Sequence, residues 1–432
     1  MLDKLFSSNN DLNANANALA LDASFDIGSQ NDIFTSKDPV QRIRRVSSSS
    51  QELQADASSS SPVVSANGRF VAFQSNATNL VRGDTNSLSD IFVRDVRRGK
   101  TTRVSIGSDG TQANGASLNA SISSDGRFVV FESEASNLVP QDTNGKKDVF
   151  LHDTKSGTTT LISVDSTGNQ ADEDSYRPYI SNDGRYVTFT SKANNLDSNA
   201  PNVVRTEDVF VRDLQTSTTS WIRSPQEGPS PNRTLNSRTR DISGDGRYVL
   251  YESTIVTGSV LTTLYVYDQH TQTSQKIDSG FRGDFRKSSI SDDGRFVAYG
   301  FGPSLGANIT KLYDQQTNSS REILLGQNGT RVFTQSLSLS GNGRYLAFSS
   351  SQNDVVPGDT NQASDVFIYD IDNSTTQRVS VNARGREANG NSFSPSLSAD
   401  GRFLAFASDA TNLVPRDTNG VTDVFWVKTY SN

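Results

Sequence analysis

One three-residue motif recurs seven times along the chain and limits what the chain can fold into. Asp or Asn is followed by Gly and Arg, with the glycines at Gly68, Gly126, Gly184, Gly246, Gly294, Gly343 and Gly401. Each copy leads into a short apolar run such as FVAF or YLAF. Asp-Gly and Asn-Gly are favoured in tight hairpin turns because both central positions need positive φ. The motif therefore predicts seven hairpins, each entering a strand that is covered on both faces.

The remainder of each unit is also repeated. A polar loop leads to a second strand, such as DIFVRD at residues 90–95, and an outer strand follows, such as TTRVSI at 101–106. A short segment such as SLNASIS at 117–123 precedes the triplet. Four strands in about 50 residues, repeated seven times, predict an all-β, seven-bladed β-propeller of four-stranded antiparallel blades. The competing two-sheet sandwich does not repeat a shared strand signature.

The two ends of the repeat region complement each other. The last unit ends without an outer strand, whereas residues 42–47 read RIRRVS and match the outer strands of other units. We therefore predict that this N-terminal strand closes the ring and removes an exposed sheet edge. Residues 32–34 resemble a second strand, which would be either an extra edge strand or a link to a neighbouring molecule. We expect residues 1–30 to be poorly ordered and residues 31–432 to form the propeller.

The repeat resembles a known family. The stretch SSDGRFVVFESEASNLVPQDTNGKKDVFLHD at residues 123–153 shows the pattern of Ser-x-Asp-Gly-Arg, an apolar strand and an Asp-terminated strand. This pattern resembles the TolB-like (WD-repeat-like) bacterial propeller repeats, over roughly residues 40 to 430. The resemblance implies the propeller fold and a protein-interaction role in the cell envelope. Propellers host many unrelated activities, so the resemblance says less about function than about fold.

Composition excludes several functional classes. The 432 residues contain no Cys, which rules out disulfides, thiolate nucleophiles and Cys-based metal centres. The net charge of -7 argues against non-specific binding to nucleic acid or anionic membranes. No apolar run approaches the roughly 20 residues of a membrane span. The N-terminus also lacks the apolar core of a secretory signal, so the expected cell-envelope or extracellular location would need another export route or a leader outside the given sequence.

Four units carry a loop that could bind calcium. The loop reads Asp-Thr-Asn-x-x-x-Asp, and oxygen side chains at its positions 1, 3 and 7 are of the kind that a hard cation recruits. The candidate ligands are Asp84, Asn86, Asp90, Asp142, Asn144, Asp148, Asp359, Asn361, Asp365, Asp417, Asn419 and Asp423. The motif resembles the calcium loops of integrin-type propellers but is two residues shorter. The alternative is an Asx turn, in which these side chains only cap backbone N–H groups.

The other units carry basic residues instead. The candidate ligand or partner residues are Arg233, Arg238, Arg240, Arg282, Arg286, Lys287 and Arg331. We predict that they lie on the loop face of blades 3–5 and bind a protein partner or an anionic ligand. The alternative is solvated surface charge.

Catalysis has little support in the sequence. His152 and His270 are the only histidines, and neither has a companion for a metal site or a nucleophile motif. The hairpin arginines are expected to pair with the Asp that ends each DIFVRD-type strand, such as Asp95. We therefore expect a non-enzymatic binding or assembly module. The alternatives are a polysaccharide-acting enzyme with carboxylates at the funnel mouth, and a structural surface or extracellular subunit that self-assembles through its N-terminal segment.

Overall fold

The computed structural model describes residues 42–200, 207–225, 234–256, 260–281, 285, 287–302, 309–326 and 329–429. Residues 1–30 and the strand predicted at 32–34 lie outside these ranges, as do Arg233, Arg282 and Arg286. The described residues form 28 β-strands and no α-helix. They include no helix that is long and apolar enough to cross a membrane.

The strands form seven four-stranded antiparallel sheets, so the predicted seven-bladed propeller is confirmed. The strands of blades 1 to 3 are β2 (Ser59–Val64), β3 (Phe70–Ser75), β4 (Asp90–Asp95) and β5 (Lys100–Arg103); β6 (Ser117–Ile122), β7 (Phe128–Ser133), β8 (Asp148–Asp153) and β9 (Thr158–Leu161); and β10 (Ser175–Ile180), β11 (Tyr186–Ser191), β12 (Asp208–Asp213) and β13 (Thr218–Ile222). The strands of blades 4 and 5 are β14 (Thr234–Ile242), β15 (Tyr248–Val256), β16 (Val260–Asp268) and β17 (Thr273–Phe281); and β18 (Ser288–Ile290), β19 (Phe296–Phe301), β20 (Ile309–Asp314) and β21 (Ser319–Ile323). The strands of blades 6 and 7 are β22 (Ser336–Leu339), β23 (Tyr345–Ser350), β24 (Asp365–Asp370) and β25 (Thr375–Arg378); and β26 (Ser392–Leu397), β27 (Phe403–Ser408), β28 (Asp423–Lys428) and β1 (Arg42–Arg45).

The ring closes through the N-terminal strand, as the sequence predicts. β1 pairs antiparallel with β28, with Ile43 opposite Val427 and Arg45 opposite Phe425. Ser47 then donates a hydrogen bond to Asp423 over 2.5 Å. The outer position of blade 7 is therefore filled from the other end of the chain, which covers an edge of β28.

The first strands of successive blades contact one another around the ring, including β2 with β26. They are the innermost strands, and the fourth strands lie at the rim. The turns between the first and second strands and between the third and fourth strands share one face, here called the turn face. The longer connections share the opposite loop face, because strand direction alternates in each sheet.

The core lies between blades. Val71, Ala72 and Phe73 are all fully buried, as expected for a strand covered on both faces. Within six blades, an aromatic ring on the second strand stacks on a ring of the third, as Phe73 does on Phe92. Phe73 also belongs to an apolar cluster that includes Trp426 of blade 7, so the first and last blades share one core.

Each repeated glycine also forms a contact between blades. Gly126 has a φ of 75°, and a Cβ atom built on it would lie 2.2 Å from the ring of Phe70 in the preceding blade. The same relation holds for all seven triplets, and Gly68 meets Phe403 across the closure. The glycine is therefore required both for its backbone conformation and for close packing.

Candidate metal and binding sites

The hairpin arginines have the structural role that the sequence predicts. Arg127 donates to both oxygens of Asp153, over 3.0 and 2.8 Å, and its guanidinium lies 4.5 Å from the centroid of the Phe128 ring. Equivalent arginine–aspartate pairs occur in the first six blades. Blade 7 differs because Lys428 stands where the other blades have Asp. Among the described residues, the only ion pair of Arg402 is a distant one with Asp400, at 3.9 Å.

The Asp-Thr-Asn loops adopt the Asx turn that was the alternative to calcium binding. In blade 1, the side-chain oxygen of Asn86 accepts a hydrogen bond from the backbone N–H of Leu88 over 3.1 Å. The Asn86 amide group donates to Asp90 over 3.1 Å and to the carbonyl of Ala113 over 3.0 Å. Asn144, Asn361 and Asn419 make the same contacts. The asparagines therefore present N–H groups, rather than ligand oxygens, to the second aspartate.

An arginine lies between the two aspartates in three of the four loops. In blade 1, Arg103 lies 3.0 Å from Asp84 and 3.4 Å from Asp90. Arg378 takes this place in blade 6, and Arg45 of the closing strand takes it in blade 7. These arginines begin the Arg-Val-Ser segment of the outer strand, and its serine donates to the second aspartate. Their guanidinium groups therefore lie between the two aspartates, where a calcium ion bound by this loop would have to lie.

Blade 6 adds a third carboxylate to this arrangement. Ligand atoms of Asp359, Asp365 and Glu387 lie within 4.8 Å of one another. Arg378 lies 2.6 Å from Glu387 and is near both aspartates, so its charge compensates the cluster from within. Burial raises the pKa of Asp359 to about 6, with a further contribution from the charge of Asp365, and Arg378 opposes the shift.

Blade 2 lacks the arginine. Leu161 stands opposite Phe150 in the register where Arg103 stands opposite Phe92. Asp142 is 8% exposed, and neither of its carboxylate oxygens has a hydrogen bond of good geometry. Blade 2 is therefore the one Asp-Thr-Asn unit whose two aspartates are not compensated by a side chain of the described chain.

The predicted basic sector is largely paired within the protein. Arg238 and Arg240 lie on the inner strand β14, not on a loop as expected. They precede Gly246 by the same distances at which Leu118 and Ala120 of strand β6 precede Gly126, so they hold ordinary first-strand positions. Arg238 binds Glu207, and Arg240 forms a buried pair with Glu252. Lys287 donates to the carbonyl of Thr334, and Arg331 pairs with Glu322 over 2.6 Å. These four residues remain partner candidates, but each has an intramolecular contact.

The histidines show no catalytic arrangement in the described part of the chain. His152 is buried, and its Nδ1 lies 2.9 Å from the hydroxyl of Thr159. Burial lowers the pKa of His152. His270 is exposed in a turn of blade 4, two residues after Asp268. The two histidines therefore belong to different blades.

A groove that the sequence analysis did not single out lies where blades 7 and 1 meet. Its volume is about 760 Å³. The lining arginines are Arg44, Arg45, Arg94, Arg97, Arg98 and Arg416, and the one lining carboxylate among the described residues is Glu52. Glu52 binds Arg94, and Arg45 is held by Asp417 and Asp423.

The remaining arginines of this arginine groove are available to a ligand. Arg44, Arg97, Arg98 and Arg416 are all exposed. Among the described residues, Arg98 has one distant acidic neighbour, Asp95 at 3.9 Å, and the other three have no ion pair within 4 Å. Two arginine-rich stretches of the sequence mark this groove, RIRR at 42–45 and RDVRR at 94–98. The strand pattern indicates only a rim strand for the first and a turn for the second.

Comparisons with known proteins identify the fold. The sequence matches no protein-family model and no curated protein. Similar solved structures include oligogalacturonate lyase in complex with manganese, at 10% identity and a TM-score of 0.54 over 89% of this chain and 92% of that one. The β-propeller domain of the Trilobed protease from Pyrococcus furiosus is 10% identical, with a TM-score of 0.53 over 86% and 95%, and is described as having an open velcro topology.

TolB from Acinetobacter baumannii is also among the similar structures, at 16% identity and a TM-score of 0.40. This likeness covers 67% of this chain, which spans 59% of the TolB structure. Together, the comparisons and the seven four-stranded sheets define the class of the protein as a seven-bladed β-propeller. At these identities the likeness concerns the fold alone.

Proposed function

We propose that this propeller is a non-enzymatic binding module that holds an acidic segment of a partner protein in the arginine groove. The observation that carries the proposal is the set of four exposed arginines, Arg44, Arg97, Arg98 and Arg416, around one groove with a single lining carboxylate. A guanidinium group suits this role because it stays charged and can bind a carboxylate through two parallel hydrogen bonds.

The remainder of the groove favours a peptide over a nucleic acid. Ile43, Val96 and Val414 contribute apolar surface between the arginines. A segment with both acidic and apolar side chains can use both kinds of surface. A long polyanion would also meet the rest of a chain whose net charge is -7, which opposes binding beyond the groove.

The loop face of blades 3–5 remains the competing location for a partner. Of its seven candidate cations, Arg238, Arg240 and Arg331 are already ion-paired, so a ligand would have to displace Glu207, Glu252 or Glu322. Exchanging one ion pair for another yields little free energy. The four exposed groove arginines have no close ion pair among the described residues that a ligand would have to break, which is why we favour the groove.

Fluorescence anisotropy with a labelled acidic peptide tests the proposal. The probe is a ten-residue peptide of glutamate and leucine, and its matched control carries glutamine in place of glutamate. We expect the acidic peptide alone to bind, with an affinity that falls as salt is added, because the contact is an exposed charge interaction. The combined change Arg97→Glu, Arg98→Glu and Arg416→Glu should weaken binding by about tenfold or more, since three attractive charges become repulsive.

The matched control protein reverses charge in the competing sector, through Lys287→Glu and Arg331→Glu. It should bind the acidic peptide as the parent does, and circular dichroism establishes that both variants are folded. Loss of binding in the sector variant alone would place the partner site on blades 3–5 and overturn the groove. Equal binding of the glutamine peptide would show that charge is not recognised.

The enzyme alternative has its own assay. Two carboxylates of second strands, Glu132 on β7 and Glu252 on β15, are buried next to cations. Glu132 lies 3.5 Å from Lys147, and Glu252 is bound to Arg240. Because one similar structure is an oligogalacturonate lyase, oligogalacturonate is the first substrate to test. We expect no cleavage, and shortened oligosaccharides would contradict the non-enzymatic proposal. A cell-envelope or extracellular location stays a prediction that fractionation of the source cells can test.

A further inference from the structure

The second blade contains a pair of buried aspartates at a place where the other Asp-Thr-Asn blades have a cation. In blades 1, 6 and 7 the outer strand supplies Arg103, Arg378 and Arg45 to this position. The segment Leu161-Ile162-Ser163 of blade 2 keeps the serine, which donates to Asp148 over 2.6 Å, but has leucine in place of arginine. The repeat therefore keeps both carboxylates in blade 2 while removing their internal counter-charge.

The unused hydrogen-bonding capacity lies on Asp142. It is 8% exposed, and both of its carboxylate oxygens are buried without a hydrogen bond of good geometry. In the other three loops, only one carboxylate oxygen of the equivalent aspartate is buried without a hydrogen bond of good geometry. That oxygen forms the ion pair with the arginine. The backbone N–H of Asn144 approaches this carboxyl group. No cation compensates its charge within the described residues, and burying an uncompensated carboxylate is costly.

The neighbouring lysines form ion pairs with other carboxylates and not with Asp142 or Asp148. Lys146 lies 2.9 Å from Glu173, and Lys147 lies about 3.5 Å from Glu132. Asp148 is fully buried and accepts from Ser163 and Asn144, which stabilise it but bring no positive charge. Within the described residues no side chain supplies the compensating charge, which leaves a bound cation or a proton.

The surroundings supply oxygen ligands for a cation. In blade 1, Arg103 contacts Asp84, Asp90, the side-chain oxygen of Gln112 and the carbonyl of Gly83, the last two over 3.1 and 3.5 Å. The residues at the same positions of blade 2 are Asp142, Asp148, Gln170 and Gln141. There the Gln170 amide donates to the carbonyl of Gln141, and its oxygen accepts from Thr143, so a cation would share or replace these hydrogen bonds. Two carboxylates, an amide oxygen and a carbonyl form the donor set of a hard divalent cation, and water can complete its shell.

We propose that blade 2 binds one calcium-class divalent cation between Asp142 and Asp148, where the other Asp-Thr-Asn blades carry an arginine. A surface groove of about 490 Å³ lies next to these positions and is lined in part by Gln141, Leu161, Gln170 and Arg212. With two carboxylates the affinity should be low, on the order of 10⁻⁴ to 10⁻³ M. This proposal does not depend on the partner groove.

Thermal melting in 10 mM calcium against chelator tests the site in the full chain. We expect calcium to raise the melting temperature of the parent by about 1–3 °C, because the ion binds only the folded state. Leu161→Arg supplies the missing guanidinium, so it should remove the calcium response while raising the melting temperature in chelator. Asp142→Asn should also remove the response, whereas the matched change Asp84→Asn in blade 1 should leave it intact.

Calorimetric titration with calcium gives the stoichiometry. The parent should bind one ion, and Arg103→Leu, which copies the blade 2 arrangement into blade 1, should bind two. Four ions on the parent would show that the arginine-containing loops bind metal as well and would overturn the assignment to blade 2. If calcium does not change the melting temperature of the parent, a proton or solvent balances Asp142 and Asp148, and the proposed site is overturned. This conclusion holds whether or not Leu161→Arg raises the melting temperature in chelator.

Discussion

Charge compensation at single residues follows one rule on both faces of the ring. On the turn face, an arginine next to the hairpin glycine binds the aspartate at the end of the third strand and stacks on its own aromatic neighbour. On the loop face, an outer-strand arginine lies between two aspartates. There are two exceptions. Blade 7 has Lys428 in place of the turn-face aspartate, and blade 2 has Leu161 in place of the loop-face arginine.

The first residue-scale prediction compares two hairpin arginines. Arg127→Ala should lower the melting temperature by about 1–2 °C because it removes a bidentate ion pair and a cation–π contact, both partly exposed. Arg402→Ala should cost less, since Arg402 has no such pair and its guanidinium lies 5.8 Å from the Phe403 centroid. Lys428→Asp should then make Arg402→Ala as costly as Arg127→Ala. Equal costs in the parent background would show that the aspartate pair contributes nothing.

The second residue-scale prediction concerns pH. The hydrogen bonds and charge of Arg185 hold the pKa of Asp213 at about 2, below its ordinary value of 3.8. A depressed folded-state pKa stabilises the protein above pH 4, and this contribution is lost as the pH falls toward 2. Denaturant unfolding should therefore show Arg185→Ala less stable than the parent at pH 6, with the difference shrinking toward pH 2. A constant difference over this range would exclude the ion pair as its cause.

At the scale of the elements, the apolar core between neighbouring blades is supplemented by a contact that repeats around the ring. Each hairpin glycine packs on the aromatic residue of the preceding blade, as Gly126 does on Phe70. The closing strand repeats the pattern with residues from the opposite end of the chain, since Arg45 and Ser47 occupy the places that Arg103 and Ser105 hold in blade 1. The closing strand thus completes both the sheet and a loop-face charge cluster.

Two glycine substitutions separate backbone strain from packing between blades. Gly126→Ala should destabilise the protein by about 2 kcal/mol more than Gly145→Ala, because only Gly126 faces a neighbouring ring. Both residues have positive φ, at 75° and 64°, and a Cβ on Gly145 would meet nothing within 4 Å. Urea unfolding gives the comparison. Equal destabilisation would mean that the ring of Phe70 moves away at no cost.

At the scale of the whole molecule, the sequence predicts repeated features well and unique features poorly. Seven hairpins, the strand at 90–95 and the closing strand at 42–45 follow from local patterns that recur. The role of Arg103 was missed although it recurs, because its Arg-Val-Ser segment indicates only an outer strand, and its position between Asp84 and Asp90 depends on how β5 pairs with β4. The arginine groove is built from separate segments, around residues 44, 97 and 416, that only ring closure brings together.

The binding proposal also belongs to this scale, because the groove exists only in the closed ring. The chain has no native cysteine, so one introduced cysteine can carry a photo-crosslinker at a single known place. Gln51 is exposed beside the groove residue Glu52, and Thr330 is exposed beside Arg331 in the competing sector. Gln51→Cys and Thr330→Cys therefore report on the two candidate surfaces without removing a candidate cation.

The most direct test is crosslinking of the labelled acidic peptide to these two variants, with the yield measured by mass spectrometry. The account predicts a crosslink from position 51, with little from position 330, and loss of the crosslink when Arg97, Arg98 and Arg416 are also changed to Glu. A crosslink from position 330 with none from position 51 would contradict it and place the partner on the loop face of blades 3–5.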